Sequence, residues 1–183
     1  AALGSSLVDA GDQAALGRYF RELIQIFDSV TSINFSNRAG GLVNAGREAR
    51  GDDLYMIVTD EFKSGPFHKY AVDSQGRRGG LISTFPHFDG RTRPWYVAAV
   101  ENGQPVWSDP YVLFTGQDLS INAALPVVDD RNQLLGVVSV VVLVFIGFFI
   151  FRTAIPEIWK ISGMMIGVYT GGTPNLAAIA RAL

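Results

Sequence analysis

The chain has 183 residues, of which 48% are apolar and 11% aromatic, so it is long enough to bury the core of one ordinary domain and is not a disordered segment. Its 15 basic and 17 acidic residues give a net charge of −2, without the basic stripe that a nucleic-acid-binding protein needs. The absence of cysteine excludes disulfides and thiol catalysis, and two isolated histidines do not make a metal site. We therefore expect no nucleic-acid partner, no metal and no cofactor.

The charged residues are concentrated in the first part of the chain. Residues 1–133 carry 12 basic and 16 acidic side chains, a net charge of −4, whereas residues 134–183 carry only Arg152, Glu157, Lys160 and Arg181. We interpret the first part as a soluble domain. The N-terminus has no basic flank followed by an apolar core, so we expect no export signal there.

The first predicted element is an amphipathic helix over residues 13–28 that covers one face of a sheet. Its stripe recurs at three- and four-residue steps and consists of Leu16, Tyr19, Phe20, Leu23, Ile24 and Phe27. Nine β-type runs follow, separated by turn residues: 30–35, 42–45, 54–59, 69–72, 81–85, 106–107, 111–114, 119–128 and 134–141. A short helix at 95–100 interrupts them. Alternation within 119–128 predicts one buried face, with Ser120 and Asn122 on a face that meets water or a ligand.

The segment 134–151 has 18 residues without a charge and a single polar side chain, Ser139. A membrane-spanning helix needs about 20 such residues, with a lower limit near 17. Arg152 and Lys160 would then lie on the cytoplasmic side and residues 1–133 outside. The valine-rich first half favours a strand instead. Two interpretations therefore stay open: a membrane span, and a buried terminal strand that runs into a core helix.

Motifs for catalysis are missing from the sequence. None of the strings GxSxG, HExxH, GxGxxG or GxxxxGK[ST] occurs. The adjacent acidic pairs at 52–53 and 129–130 lie in turn-like clusters, where aspartate bonds to the nearby backbone, and this is more typical of solvated turns than of a catalytic dyad. We expect that the chain is not an enzyme.

The segment 85–111 has the composition of a small-molecule pocket, because it holds two arginines, two tryptophans and two tyrosines. Arg93 can bind a carboxylate with two hydrogen bonds, Trp95 adds an indole N–H, and Tyr96 and Tyr111 can accept from an ammonium or stack against it. The alternative is structural. Trp95, Tyr96 and Trp107 would then be core, and Arg91 and Arg93 would pair with Asp89 and Asp109.

Two strings, FDGRTRPWYVAAVENGQPVWSDPY and LSINAALPVVDDRNQLLGVVSV, resemble the Cache domain, the extracytoplasmic PAS-like sensor module of bacterial chemoreceptors, histidine kinases and cyclases. With INFSNRAGGLVNAGRE as the first strands, the resemblance covers residues 13–141. It implies an α+β fold, with an N-terminal helix packed on a curved antiparallel β-sheet. It also implies a ligand pocket between the sheet and the loop and short helix that carry the RxWY string.

The resemblance to amino-acid-binding, double-Cache-type members implies that Arg93 and Trp95 hold a ligand carboxylate, with Tyr96 and Tyr111 among the residues at its ammonium. Two positions depart from that pattern. Phe88 stands where a tyrosine is expected, and Val141 stands where an aspartate is expected. A buried ammonium without a carboxylate partner is costly, so we expect a small carboxylate, or an unknown ligand, rather than an α-amino acid. Asp109 and Phe88 complete the candidate ligand-binding set, and no catalytic or metal-binding residue is predicted.

Residues 143–183 are similar to a fragment of an uncharacterised family of polytopic bacterial membrane proteins that carry a YTGGTPN string. The change of resemblance at 140–143 indicates a chimeric or truncated chain. We therefore predict a ligand-sensing domain over 1–141 and a hydrophobic, membrane-like helical tail over 142–183. The expected protein is an extracytoplasmic small-molecule sensor module of a bacterial receptor, membrane-associated through its tail and compatible with a homodimer. The alternative is a transport-type membrane fragment whose function lies in the C-terminal segment.

Overall fold

The computed structural model describes residues 8–27, 30–48, 53–73, 75–114 and 119–142, and within them the chain forms two α-helices and ten β-strands. The helices are α1, Gln13–Ile26, and α2, Pro94–Asn102. The strands are β1 Val30–Asn37, β2 Leu42–Arg47, β3 Leu54–Thr59, β4 Gly65–Val72, β5 Arg78–Phe88, β6 Val106–Trp107, β7 Tyr111–Val112, β8 Leu119–Ser120, β9 Asn122–Val128 and β10 Leu134–Val142. The chain divides into two units at 142/143, and this fold is that of the first.

Eight of the strands form one antiparallel sheet in the order β5-β4-β3-β2-β1-β10-β9-β6, and β7 pairs with β8 separately. The first five strands are a meander of sequence neighbours, joined through β1 to the last long hairpin, β9-β10. The predicted α+β class, with an N-terminal helix on an antiparallel sheet, is confirmed.

Helix α1 covers one face of the sheet. The Asp12 side chain accepts a hydrogen bond from the backbone N–H of Ala15 at 2.9 Å and so caps the helix N-terminus. Leu16, Phe20 and Ile24 are buried in one stripe. They pack against Ile33, Phe35, Val43 and Ala45 of strands β1 and β2.

Strand β10 lies in the middle of the sheet, between β1 and β9. Val137 is fully buried there, and the valine-rich half of the ambiguous segment is therefore a strand as far as Val142. The remainder of that segment and the predicted tail lie outside the described residues. Among the helices of the described ranges, none has the length and hydropathy of a membrane span.

Helix α2 packs on the opposite face. Pro94 stands at its first turn, where the missing N–H costs nothing, and Gly103 ends it in the left-handed conformation, with a φ of 65°. Trp95, Tyr96 and Ala99 are buried against the sheet, in the same apolar cluster as Phe67 and Phe88. The sheet is thus covered by α1 on one side and by α2 on the other.

Three expectations about burial are corrected. Phe27 is 51% exposed because α1 ends at Ile26, before the predicted boundary. Trp107 is 38% exposed and is not core. Ser120 and Asn122 were expected on a water- or ligand-facing side, yet both are buried, because the α2 side of the sheet is itself covered.

We predict that Gly136→Ala destabilises the fold, because a Cβ at this position in β10 would overlap the backbone carbonyl of Ser36 in the neighbouring strand. Neither backbone can retreat without breaking the β1-β10 ladder. We expect a loss of roughly 2–3 kcal/mol in the free energy of unfolding, measured by urea denaturation. Gly80→Ala in β5, where a Cβ meets no atom within 4 Å, is the control and should stay within about 0.5 kcal/mol of wild type. Equal stability of the two variants would contradict the prediction.

Candidate functional site

A tight turn before α2 places Arg93 over the sheet. The Asp89 side chain accepts from the backbone N–H of Arg91 at 3.0 Å and begins a 3-10 turn over Gly90–Thr92. The N–H of Gly90 donates to the Gly40 carbonyl at 3.0 Å, which ties the turn to the sheet. A Cβ on Gly90 would overlap the Ser36 hydroxyl, so this close approach requires glycine. Arg93 follows directly as the residue that begins α2.

A pocket of about 100 Å³ lies between the α2 side of the sheet and the segments that carry Arg93 and Tyr111. Its cover is formed by Arg93, Trp95, Tyr111, Leu113 and Phe114. Its polar lining from the sheet comprises Thr31, Ser32, Asn34, Asn44 and Tyr55. Its apolar lining comprises Leu42, Ile57, Phe67, Phe88 and Val141. Pockets that hold drug-sized ligands measure roughly 300–1,000 Å³, so this pocket suits a smaller molecule.

The Arg93 guanidinium is partly buried at this pocket. Its carbon lies 5.5 Å from the centre of the Tyr111 ring and 5.4 Å from that of Phe114. Its one hydrogen bond within the described residues is a long one, 3.5 Å to the Val112 carbonyl. Burial lowers the pKa of Arg93, and the nearby Tyr111 opposes that effect. No carboxylate of the described ranges pairs with Arg93, so a cation with most of its donors unused faces the pocket.

A row of hydrogen-bonded side chains crosses four adjacent strands beneath the cover; we call Asn44, Asn34, Ser139, Asn122 and Tyr111 the polar row. The Asn44 amide donates to Asn34 Oδ1 at 2.6 Å, and the Asn34 amide donates to Ser139 Oγ at 3.3 Å. The Asn122 amide also donates to Ser139 Oγ, at 3.1 Å, and the Tyr111 hydroxyl donates to Asn122 Oδ1 at 3.0 Å. The row therefore links the sheet face to Tyr111 in the cover.

The structure brings four of the six predicted ligand-binding residues to this pocket: Phe88, Arg93, Trp95 and Tyr111. Burial raises the pKa of Tyr111, whereas Ser120, Arg93 and Asn122 act in the opposite direction. The Trp95 indole N–H has no acceptor in the described part of the chain, although the residue is only 4% exposed.

Tyr96 and Asp109 are not among the lining residues. Tyr96 is buried beside Trp95, with their ring centres 6.0 Å apart, as the structural alternative expected, and burial raises its pKa. Asp109 is exposed and does not pair with Arg93. The other expected pair is present: Arg91 Nη2 lies 2.6 Å from Asp89 Oδ2 and holds the pKa of that carboxyl below its usual range.

Sequence reasoning missed Thr31, Ser32, Asn34, Asn44 and Ser139. The sequence pattern that could have identified them is a polar residue between apolar ones in a β-type run, as in Ile33-Asn34-Phe35 and Val43-Asn44-Ala45. Such alternation places Ser32, Asn34, Asn44 and Ser139 on the face opposite α1, but it equally describes a solvated face. Thr31 lies at a register shift between Val30 and Ser32, which alternation does not predict. The described residues contain no cluster of histidine and acidic side chains suited to a metal ion.

The helix-backed antiparallel sheet with a pocket under the segment that begins α2 defines the class of PAS-like sensor domains. A family profile, methyl-accepting chemotaxis protein-like, first PDC sensor domain, matches residues 46–144, more than half of the chain. The chain belongs to this family. The resemblance to a sensor domain is thereby confirmed, and the match does not extend over residues 145–183.

Solved chemoreceptor domains are similar to this chain. The Campylobacter jejuni chemoreceptor Tlp3 in complex with 4-methylisoleucine is 10% identical, with a TM-score of 0.49, over 76% of this chain and 44% of that one. The Pseudomonas aeruginosa PAO1 receptor PctC in complex with GABA is 19% identical, with a TM-score of 0.47, over 75% of this chain and 48% of that one. The chain thus spans less than half of their length.

We predict that Asn122→Ala destabilises the domain, because Asn122 is fully buried and its side chain takes part in three hydrogen bonds, with Tyr111, Ser120 and Ser139. Its removal leaves the buried Ser120 hydroxyl without this partner and takes hydrogen bonds from Tyr111 and Ser139, and we expect a loss of about 2–4 kcal/mol in urea denaturation. The control is Asn102→Ala, which removes one exposed hydrogen bond at the end of α2. A loss no greater than that of the control would show that the polar row contributes little.

Proposed function

We propose that the chain is the extracytoplasmic sensor domain of a bacterial chemoreceptor-type protein and that it binds a small carboxylate-bearing ligand against Arg93. Membership of a chemotaxis-protein sensor family supports the receptor class. The observation that carries the ligand class is the Arg93 guanidinium, which lines the pocket without a carboxylate partner in the described residues.

A guanidinium is charged at all physiological pH values and presents a rigid fork of donors that matches a carboxylate. Withdrawing that charge from water without a counter-ion is costly, as the direction of the pKa shift of Arg93 indicates. A ligand carboxylate would offset this cost by accepting two charge-assisted hydrogen bonds from the guanidinium. The Trp95 indole N–H lines the same pocket and is available as a further donor.

An α-amino acid is a poorer candidate than a simple carboxylate. The described residues that line the pocket include no aspartate or glutamate, and Val141 stands where the resemblance implies the aspartate that holds an ammonium. The Tyr111 hydroxyl donates a hydrogen bond to Asn122 and can still accept one from an ammonium, but it is neutral and supplies no counter-charge. An ammonium in this pocket would therefore lack a neutralising charge.

We further propose that residues 1–141 are the sensing domain and that residues 142–183 associate with a membrane. Strand β10 supports a route between them, because Val141 lines the pocket and Ser139 belongs to the polar row. A ligand can bias a receptor only through a difference in its affinity for the two states. A contact with this strand that is made in only one of the two states would provide such a difference.

We predict that Arg93→Met weakens the binding of short carboxylates by roughly 10- to 100-fold, because it removes the charge-assisted hydrogen bonds and keeps much of the side-chain volume. The measurement is isothermal titration calorimetry of the full chain with acetate, propionate, L-lactate and L-alanine. Arg93→Lys should recover only part of the affinity, since lysine keeps the charge and loses the fork.

Arg91→Met is the matched control, because Arg91 lies two residues away and pairs with Asp89 outside the pocket. It should bind the same acids as wild type does. The proposed function is wrong if none of the four acids binds the wild-type chain. It is also wrong if the two methionine variants lose affinity equally.

A further inference from the structure

Two buried oxygen atoms of the residues that line the pocket have no hydrogen-bond partner within the part of the chain that the structure describes: Thr31 Oγ1 and Asn44 Oδ1. Asn44 is only 3% exposed. A buried acceptor that loses water without gaining a donor costs free energy, so such atoms in a native protein indicate a missing partner. We call these two atoms the unpaired oxygens.

The orientation of the Asn44 amide is fixed by its surroundings. Its nitrogen lies 3.3 Å from the backbone carbonyl of Ile33 and 2.6 Å from Asn34 Oδ1. A carbonyl oxygen accepts and never donates, so the atom that faces Ile33 must be the NH₂ group. Exchanging the two ends of the amide would bring oxygen against oxygen at this contact. The acceptor of Asn44 therefore has no alternative orientation within the polar row.

The residues that line the pocket consequently carry two kinds of polar group. Arg93 and Trp95 contribute donors only, whereas Asn44 Oδ1 is an acceptor only and the Thr31 hydroxyl can both donate and accept. A ligand with a carboxylate alone would satisfy the donors and leave the unpaired oxygens without a partner. A second, donating group on the same ligand would satisfy both sets.

We propose that this second group is a neutral hydroxyl, so that the ligand is a short hydroxy carboxylate; the proposal rests on the proposed function. A hydroxyl can donate to Asn44 Oδ1 and accept from the Thr31 hydroxyl at the same time, which matches the unpaired oxygens. An ammonium can only donate, and it brings a charge that no described lining residue neutralises. The pocket volume of about 100 Å³ also suits a short carbon chain.

The test uses three acids that differ at a single carbon substituent: propionate, L-lactate and L-alanine carry hydrogen, hydroxyl and ammonium there. In calorimetric titration of the full wild-type chain, the Kd of L-lactate should be about tenfold lower than that of propionate. This is the gain in affinity expected of well-made hydrogen bonds in a buried site. L-alanine should bind more weakly than L-lactate. D-lactate is titrated in parallel, since the hydroxyl of either enantiomer can be the one that reaches Asn44.

Thr31→Val is the informative variant, because valine has nearly the shape of threonine and the Thr31 hydroxyl makes no hydrogen bond with any described residue. It should reduce the advantage of lactate over propionate several-fold. Asn44→Leu removes the other unpaired oxygen and should abolish the advantage, although it also interrupts the polar row. Thr84→Val on the exposed strand β5 is the control and should bind as wild type does.

The outcomes separate this inference from the proposed function. Equal affinity of lactate and propionate, with binding still lost in Arg93→Met, overturns the hydroxyl assignment and leaves the carboxylate site intact; a water molecule then satisfies the unpaired oxygens. Tightest binding of L-alanine also overturns it. Absence of binding by every acid refutes the proposed function itself. A lactate advantage that survives Thr31→Val and Asn44→Leu unchanged shows that the hydroxyl is recognised elsewhere.

Discussion

The Arg93 guanidinium is partly withdrawn from water without a carboxylate to neutralise it in the described part of the chain. Much of the surrounding structure serves to hold it there. Asp89 caps the turn that precedes it, Gly90 lets that turn approach the sheet, and Pro94 begins the helix that follows. An unpaired cation held beside a pocket is suited to binding an anion, and this is the physical basis of the proposed function.

The polar row is the second feature of the site, after the unpaired Arg93 cation. Amides and hydroxyls from β2, β1, β10 and β9 lie beneath an otherwise apolar cover and bond to one another in series. Because the Ile33 carbonyl sets the direction of the first amide, the row leaves an oxygen of a pocket-lining residue, Asn44 Oδ1, without a partner in the described residues. Its central member, Ser139, belongs to β10, so the strand that joins β1 to β9 also joins the two halves of the polar row.

The predicted elements were accurate where a local pattern had one interpretation. The run 54–59 is a strand with the predicted bounds, and the helix at 95–100 is present and slightly longer. The predicted boundaries were wrong where pairing with a neighbouring strand extended an element. Strand β5, for example, runs from Arg78 to Phe88 along β4. The segment 134–151 could not be assigned, because a hydrophobic run fits both a membrane span and a central strand; pairing of β10 on both edges decides in favour of a strand as far as Val142.

The sequence by itself determined the α+β class, the helix on one face of the sheet, the sensor resemblance and the cluster of arginine and aromatic residues around α2. Those properties depend on local periodicity, turn chemistry and residue type, which a linear pattern records. Only the tertiary structure decided which of these side chains share a pocket: Arg93 and Trp95 line it, whereas Tyr96 is core and Asp109 is exposed. It also placed Thr31 and Asn44 there, because the contacts that leave their oxygens unpaired join residues from different strands and cannot be read from either strand alone.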